Sequence, residues 1–442
     1  MNRFFLCLLL CQLIYARNTE GQNNVVTEKQ FIRNQLNMLA SPNMHGRGYV
    51  KNGRDDAAKY IQKKFKEYNL RTFTRAHNYL QGYDFPVNTF PGSMYLKLNK
   101  TELTPGEDYI IDAGSPSLTA DRLQGEDVDL ADMIKVKDST IIFDSIATDS
   151  VWHARLASFD QEHIYTLQNA DTFCHLMHFK TRTFSGRLPK GSYIIPEKTK
   201  LTWDVSRDTI AATVFYVLEK SLPKNIKSGN VDVKSLFVPN AHSDNIIGCI
   251  PGAEKDSFIT LTAHYDHLGM MGDTTVFPGA SDNASGMAML LYLASYFSAH
   301  PQHYSILIIA FSGEEAGLMG SAYYVTHPIV PLKNMKFLLN IDIMGDASDG
   351  ITVVNATEFP KEFDMLQKIN DAHAYIPEIK SRGKAANSDH YFFSEKGVKS
   401  FFVYSNGGKG YYHDIYDTAH EATLIHIDDV ANLLIDFIKE LN

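Results

Sequence analysis

The sequence predicts an α/β protein, a mixed and largely parallel sheet sandwiched by helices, with an inserted β-rich lobe. Three observations predict it. After about residue 235, strand-like apolar runs alternate with helical segments. Several of those runs, Ile306-Leu307-Ile308-Ile309 above all, lack the polar alternation of a half-exposed strand and suit strands buried on both faces. From about 91 to 225 the chain instead shows short β-rich runs separated by Pro, Gly and Asp clusters. The boundaries read from these shifts are 1–20 for a targeting segment, 24–90 for an N-terminal helical part, 91–225 for the lobe and 226–442 for the main α/β domain.

The elements follow in chain order. Arg3, the apolar run Phe4 to Ile14 and the small or polar residues from Ala16 form a secretory-signal pattern, so export to a periplasm or to the outside is expected. The run is too short to cross a bilayer, and no stable membrane insertion is expected once it is removed. The alternative is a buried N-terminal strand or helix. A lipid anchor on Cys11 is disfavoured by bulky Leu10 before it. Removal of the signal leaves Cys174 and Cys249, which either pair or remain two separate buried thiols; no disulfide framework is possible.

Thr27-Glu28-Lys29-Gln30 matches a capping box ahead of Phe31, Ile32, Leu36 and Leu39 at helical spacing, which predicts a helix over about 28–40. Ala57, Ala58, Ile61 and Phe65 form one apolar stripe and predict a second over about 53–68. In the lobe, strands are expected near 139–143, 191–195 and 209–218, and His153, His163, His175 and His178 lack the spacing of a metal site. Beyond it, 245–250 and 258–263 read as a strand pair joined at Pro251-Gly252. A helix follows over 285–296, then a strand over 306–311, a helix after Gly313, a strand over 337–341 and a final helix over 428–441.

Composition excludes some functions. The 442 residues suffice for two or three domains with a sizeable core, and 44% hydrophobic with 21% charged residues is ordinary for a globular protein. A net charge of −9 without a long Lys/Arg run lacks the footprint of a nucleic-acid partner.

The chemistry concentrates at strand ends. His264, Asp342 and the Glu314-Glu315 pair each lie just past an apolar run, where open α/β sheets place ligand sites. Asp282 sits in the small-residue loop Gly279 to Gly286, and His413 in Tyr411-Tyr412-His413-Asp414 behind three glycines. Singly, each has a structural explanation: a satisfied histidine, a solvated helix start, a turn aspartate. Together, two His and three carboxylates supply the mixed N and O donors that zinc accepts, and a shared carboxylate is the natural way to hold two cations about 3.5–4 Å apart.

The segments Ala263-His264-Tyr265-Asp266-His267, Ser281-Asp282-Asn283, Gly313-Glu314-Glu315-Ala316-Gly317, Asn340-Ile341-Asp342 and Tyr412-His413 resemble the co-catalytic di-zinc aminopeptidase family. Its relatives include bacterial leucyl aminopeptidases, glutamate carboxypeptidase II, glutaminyl cyclases and transferrin-receptor-like proteins. The resemblance covers roughly 26–85, with Leu39-Ala40-Ser41-Pro42 and Gly46-Arg47, and 235–442. The lobe's position is similar to that of the protease-associated insertion in some members.

The resemblance implies a zinc-exopeptidase-like fold and an enzyme that acts on peptide substrates with Zn2+, two per chain. It implies that Asp282 bridges the ions, that His264 and Asp342 complete one site and Glu315 and His413 the other, and that Glu314 is the general base. Asp266, two residues past His264 on extended backbone, is expected to accept the second imidazole N–H. Tyr412 matches a tyrosine that donates to the oxyanion in some members; packing is the alternative. Ser388-Asp389-His390 resembles a substrate-side segment and reads first as a helix N-cap. Arg382 and Lys384 are candidates for a substrate carboxylate, and His267 and Asp346 read as groups outside the ligand set. Amino-, carboxy- and dipeptidase, glutaminyl cyclase and a non-enzymatic receptor all remain open; the intact ligand set favours an aminopeptidase.

Overall fold

The computed structural model describes residues 27–73, 78–133, 136–137, 140–141, 154–176 and 181–442, so the targeting segment, His153 and His178 lie outside the described residues. The larger α/β unit is built on an eight-stranded sheet: β1 (Leu80–Thr89), β2 (Leu236–Ile250), β3 (Glu254–His264), β4 (Tyr304–Phe311), β5 (Met335–Ile341), β6 (Ile351–Val354), β7 (Ile379–Arg382) and β8 (Ser400–Ser405), in the order β1-β2-β4-β3-β5-β8-β6-β7. The central β4, β3, β5 and β8 run parallel, and antiparallel β2 and β6 flank them. This is the mixed, largely parallel sheet the sequence predicts.

Side chains that alternate along each strand feed two apolar layers. Ile259, Leu261, Ile306 and Ile308 face helices α1 (Glu28–Leu39), α2 (Gly53–Glu67), α3 (Gly286–Ala299), α5 (Pro360–His373) and α7 (Ile427–Glu440). Leu307, Ile309 and Leu338 face α4 (Met319–Thr326) and α6 (His390–Glu395). With helices on both sides, β4 is buried at seven of its eight positions, and the uninterrupted apolar run follows. Helix α1 starts where the sequence places it: the Thr27 side chain accepts the Gln30 N–H at 3.2 Å. Its Ile32, Leu36 and Leu39 are fully buried, each worth roughly 1.5–3 kcal/mol.

Two elements differ from the sequence reading. β2 and β3 are not a pair, because β4 lies between them. The Pro251-Gly252 loop passes over the start of β4, where a Cβ on Gly252 would come within 2.4 Å of the Tyr304 backbone. The helix expected after Gly313 is present but begins late. Positive φ at Gly313, Gly317 and Leu318 folds 313–318 into turns, and α4 starts only at Met319.

The lobe holds a second eight-stranded sheet whose strands run from Met94–Leu98 to Ser228–Val233, past the expected boundary at 225, because Ser228–Val233 pairs between Met94–Leu98 and Leu118–Asp129. Two short helices, Ala170–Leu176 and Thr181–Ser185, accompany it. Its apolar core continues into Leu268, Met271 and Phe277 of the larger unit. Cys174 and Cys249 are both buried and are not joined in a disulfide.

Candidate metal centre

The C-terminal ends of β3, β4 and β5 deliver His264, the 313–318 turns and Asp342 to one edge of the sheet, as their parallel register requires. The loops carrying Asp282 and His413 close over that edge. Asp282 lies between the two histidines: His264 Nε2 is 3.3 Å from its Oδ1, and His413 Nε2 is 3.1 Å from its Oδ2. Asp342 Oδ1 lies 3.2 Å from His264 Nε2, and Glu315 Oε2 lies 3.0 Å from His413 Nε2. The structure therefore brings together all five side chains singled out in the sequence as ligands. Potential ligand atoms fall into overlapping groups: His264, Asp282 and Asp342 in one, His267, Asp282, Glu315 and His413 in another, and His264, Glu314 and Glu315 in a third. None of the ligand-type groups found among the described residues lies in the lobe.

Hydrogen bonding decides what the site can hold. His413 Nδ1 contacts the backbone carbonyl of Trp203 at 2.9 Å, and His264 Nδ1 that of Asp266 at 3.1 Å. A carbonyl only accepts, so in each neutral ring the proton is on Nδ1 and the bare Nε2 faces carboxylate oxygens. Two acceptors cannot bond each other, and buried His413 Nε2 indeed has no hydrogen-bond partner. A cation between them resolves the conflict. The same demand for positive charge appears in the titration. Burial lowers the His264 pKa, but Asp342 and the neighbouring carboxylates outweigh it and hold the group well above its usual value. His413 is likewise raised against its burial, chiefly by Glu315. Burial works to raise Glu315, and His413 and His267 pull it down to about 2.

Glu314 is of the opposite kind. Burial first, then the charges of Glu315, Asp389 and Asp342, push its carboxyl well above the ordinary range. It lines a cavity of about 330 Å³ with Asp282, Asp342 and Tyr412. Tyr412 is 44% exposed, and its ring stacks on His413 at 3.9 Å.

Asp266 departs from expectation. Its backbone carbonyl, not its carboxylate, meets His264 Nδ1; the nearest carboxylate oxygen is 3.8 Å away. The carboxylate instead accepts the backbone N–H groups of Glu314 and Glu315 at 3.2 and 3.4 Å, because the turn after Gly313 aims both at it. Asp389 also differs. It precedes α6 in helical conformation, its side chain caps nothing, and both carboxylate oxygens are buried without a partner.

Around the ligand set lie residues the sequence singles out, together with Asp417, which carried no sequence signal. His267 contacts Glu315 Oε1 through Nδ1 at 2.7 Å. Asp417 accepts the N–H groups of Ser281 and Asp282. Asn283, joined to Asp282 by a cis peptide bond, ties the loop to Ile341 and Ile343. Ser388 donates to Asp342 Oδ2 at 2.9 Å and accepts from Asn340 at 2.8 Å. Asp346 bonds Ser348 and Thr423, away from the ligands. Lys384 pairs with Glu395.

Fold and site together define an α/β protein with a buried histidine–carboxylate cation centre at the C-terminal edge of its sheet. Residues 245–438, which carry all five ligand-type side chains, match the model of peptidase family M28, and the resemblance to co-catalytic zinc aminopeptidases read from the motifs stands. Aminopeptidase YwaD of Bacillus subtilis is 30% identical over 166 residues, 36% of this chain and 35% of that protein. A probable aminopeptidase of Saccharomyces cerevisiae, YDR415C, is 24% identical over 252 residues, 53% of this chain and 66% of its own length. The chain thus spans about a third of YwaD and just under two thirds of the yeast protein. The structure of BSAP, a zinc aminopeptidase from Bacillus subtilis, superposes with a TM-score of 0.66 at 18% identity, covering 94% of this chain and 95% of that one, which establishes a shared fold.

Proposed function

We propose that this chain is an exported zinc-dependent exopeptidase, an aminopeptidase that hydrolyses N-terminal residues from peptides, with two zinc ions and Glu314 as general base. One observation carries the reading: the two oxygens of Asp282 each face an imidazole Nε2, one of His264 and one of His413. Asp342 completes the donor set on the first side and Glu315 on the second, a mixed N and O set that suits zinc. Zinc bound there would lower the pKa of a shared water from about 15.7 toward about 7 and polarise the scissile carbonyl.

The protein's own groups do the rest. Glu314, adjacent in sequence to a ligand yet outside the two bridged groups, takes the proton of the attacking water and returns it to the leaving amine. Its raised pKa suits that return, since the protonated form is the donor. Asp266 holds the backbone of Glu314 and Glu315 and so fixes both carboxylates. The Tyr412 hydroxyl, in the same cavity, is the donor proposed for the oxyanion. Export rests on the N-terminal segment alone.

The test is a metal count on purified protein, followed by a panel of free and N-acetylated aminoacyl-nitroanilides and dipeptides assayed with chelator and after zinc re-addition. About two zinc equivalents and chelator-sensitive cleavage of free N-termini are expected. Preferred cleavage of N-blocked substrates would make it a carboxypeptidase, one zinc with ring closure of N-terminal glutamine a cyclase, and zinc-loaded protein inert on every substrate a receptor-like relative.

A further inference from the structure

The cavity beside Glu314 contains one cation, Arg382, the last residue of the edge strand β7. Its Nη1 donates to the Tyr404 hydroxyl at 3.3 Å, a contact that orients the guanidinium without neutralising it. The neighbouring lysines on this segment are matched by acids: Lys380 lies 3.5 Å from Glu378, and Lys384 pairs with Glu395. Among the described residues no carboxylate forms an ion pair with Arg382. The other charged residues lining the cavity, Asp282, Glu314 and Asp342, belong to the metal centre and the general base. Once cations occupy that centre, Arg382 is the unmatched charge on the wall. Guanidinium is a planar fork of donors that fits a carboxylate with two parallel hydrogen bonds.

We propose that Arg382 is a specificity-determining residue that selects substrates bearing a carboxylate within one or two residues of the scissile amide. The inference rests on the hydrolase reading and narrows its substrate class. An extended chain advances about 3.3–3.6 Å per residue, so a group bound in the same cavity as Glu314 belongs to the cleaved residue or to a near neighbour. The cavity, about 330 Å³, is near the lower end of the roughly 300–1,000 Å³ typical of small-molecule sites, which favours short substrates. The carboxylate has two sources: the C-terminus of a dipeptide or tripeptide, or an acidic side chain.

Steady-state kinetics on leucyl-leucine, leucyl-leucinamide, glutamyl-nitroanilide and leucyl-nitroanilide separate them. Arg382→Met should raise the acid-to-neutral ratio of KM in at least one of the two pairs by about 10-fold or more, the loss expected for a charge-assisted pair. A shift confined to the dipeptide pair assigns the C-terminus, and one confined to the nitroanilide pair assigns the side chain. Arg382→Lys, which keeps charge without the fork, should fall between. Lys384→Met should leave both ratios where they were. Equal effects on acid and neutral substrates, or none, overturn the proposal.

Binding of leucyl-leucine, leucyl-leucinamide, glutamate and glutamine to zinc-loaded Glu314→Gln protein, measured by calorimetry, gives a readout without turnover. Tighter binding of the acid than of its amide in at least one pair, lost when Arg382→Met is added, supports the carboxylate site even if no substrate is hydrolysed. Equal affinities in both pairs reject it. Wild-type protein inert on all four substrates counts against the hydrolase reading alone.

Discussion

His413 and Trp203 are bonded to each other twice: the imidazole Nδ1 contacts the Trp203 carbonyl at 2.9 Å, and the Trp203 N–H donates to the His413 carbonyl at 2.9 Å. The first contact sets the tautomer that leaves Nε2 bare. Trp203 is itself fixed, its Nε1–H bonded to Ile111 of the lobe at 2.8 Å and its ring stacked on Phe277 at 4.7 Å. A stretch of the lobe, between its strands Ser192–Glu197 and Thr213–Leu218, thus builds one side of the candidate metal centre. Trp203→Phe keeps both backbone contacts with His413 but loses the Nε1–H bond that fixes them in place, so zinc affinity at the His413 side should fall by up to roughly 10-fold. Competition against a chromophoric chelator reads this directly. If thermal stability falls while both zinc equivalents hold as before, Trp203 is only a packing residue.

Glu314→Gln should keep both zinc ions and lose at least about 10²-fold in kcat, because the amide fills the same space but takes no proton. Metal analysis and initial rates on one preparation check it. Turnover near the wild-type level removes Glu314 from the mechanism.

The parts legible in the sequence were those set by local pattern. The unbroken apolar run 306–311 identified a strand buried on both faces, and the strand ends identified the edge where His264 and Asp342 meet. What escaped was set by distant contacts. Trp203 lies 210 positions from His413, and no local spacing links them. Pro251-Gly252 signalled a hairpin because a turn is local, whereas the insertion of β4 between its arms is not. Asp266 was assigned by extended-strand alternation, but β3 ends at His264, and the turn beyond redirects the carboxylate to Glu314 and Glu315.

Arg47 is fully buried and bonds no carboxylate. Its guanidinium donates to the carbonyls of Leu39, Tyr265, Pro278, Gly279 and Asp282 at 2.7–3.2 Å, knitting the end of α1 to the loop that carries Asp282. Burial pulls its pKa down to about 10 against the pull of Asp282, so it remains charged at neutral pH. Arg47→Met leaves five carbonyls without this donor, and each buried unsatisfied group costs about 1–3 kcal/mol. After relaxation a loss of about 3–5 kcal/mol in unfolding free energy is expected by urea titration. A loss below about 1 kcal/mol contradicts the account.

Ser388 ends a buried relay that runs from Thr262 to Asn340 Oδ1 at 2.7 Å, from Asn340 to Ser388 Oγ at 2.8 Å, and from Ser388 to Asp342 Oδ2 at 2.9 Å. The relay leaves Asp342 Oδ1 to face His264. Ser388→Ala should weaken zinc at the His264 side by about 10-fold and spare the His413 side, the reverse of Trp203→Phe. The same chelator competition distinguishes the two, and weakening of the same zinc equivalent in both variants rules out separate supports.

His390 packs on Phe402 with a ring-centroid distance of 5.3 Å, fully buried and with neither ring nitrogen hydrogen-bonded among the described residues. Burial pushes its pKa down to about 4 from the ordinary histidine value of about 6.5. The unfolded chain therefore binds a proton between those two values that the folded chain does not, and stability falls as pH drops through that window. At about 1.4 kcal/mol per pKa unit, the group costs roughly 2–3 kcal/mol by pH ~4 relative to pH ~7. His390→Leu removes the titrating group and strands no partner, so stability at neutral pH should change by less than about 1.5 kcal/mol. Denaturant titrations at both pH values should then show the variant losing roughly 2–3 kcal/mol less than the wild type on acidification. Parallel losses in the two proteins mean that His390 is already protonated in the folded state, and that an unseen partner satisfies it.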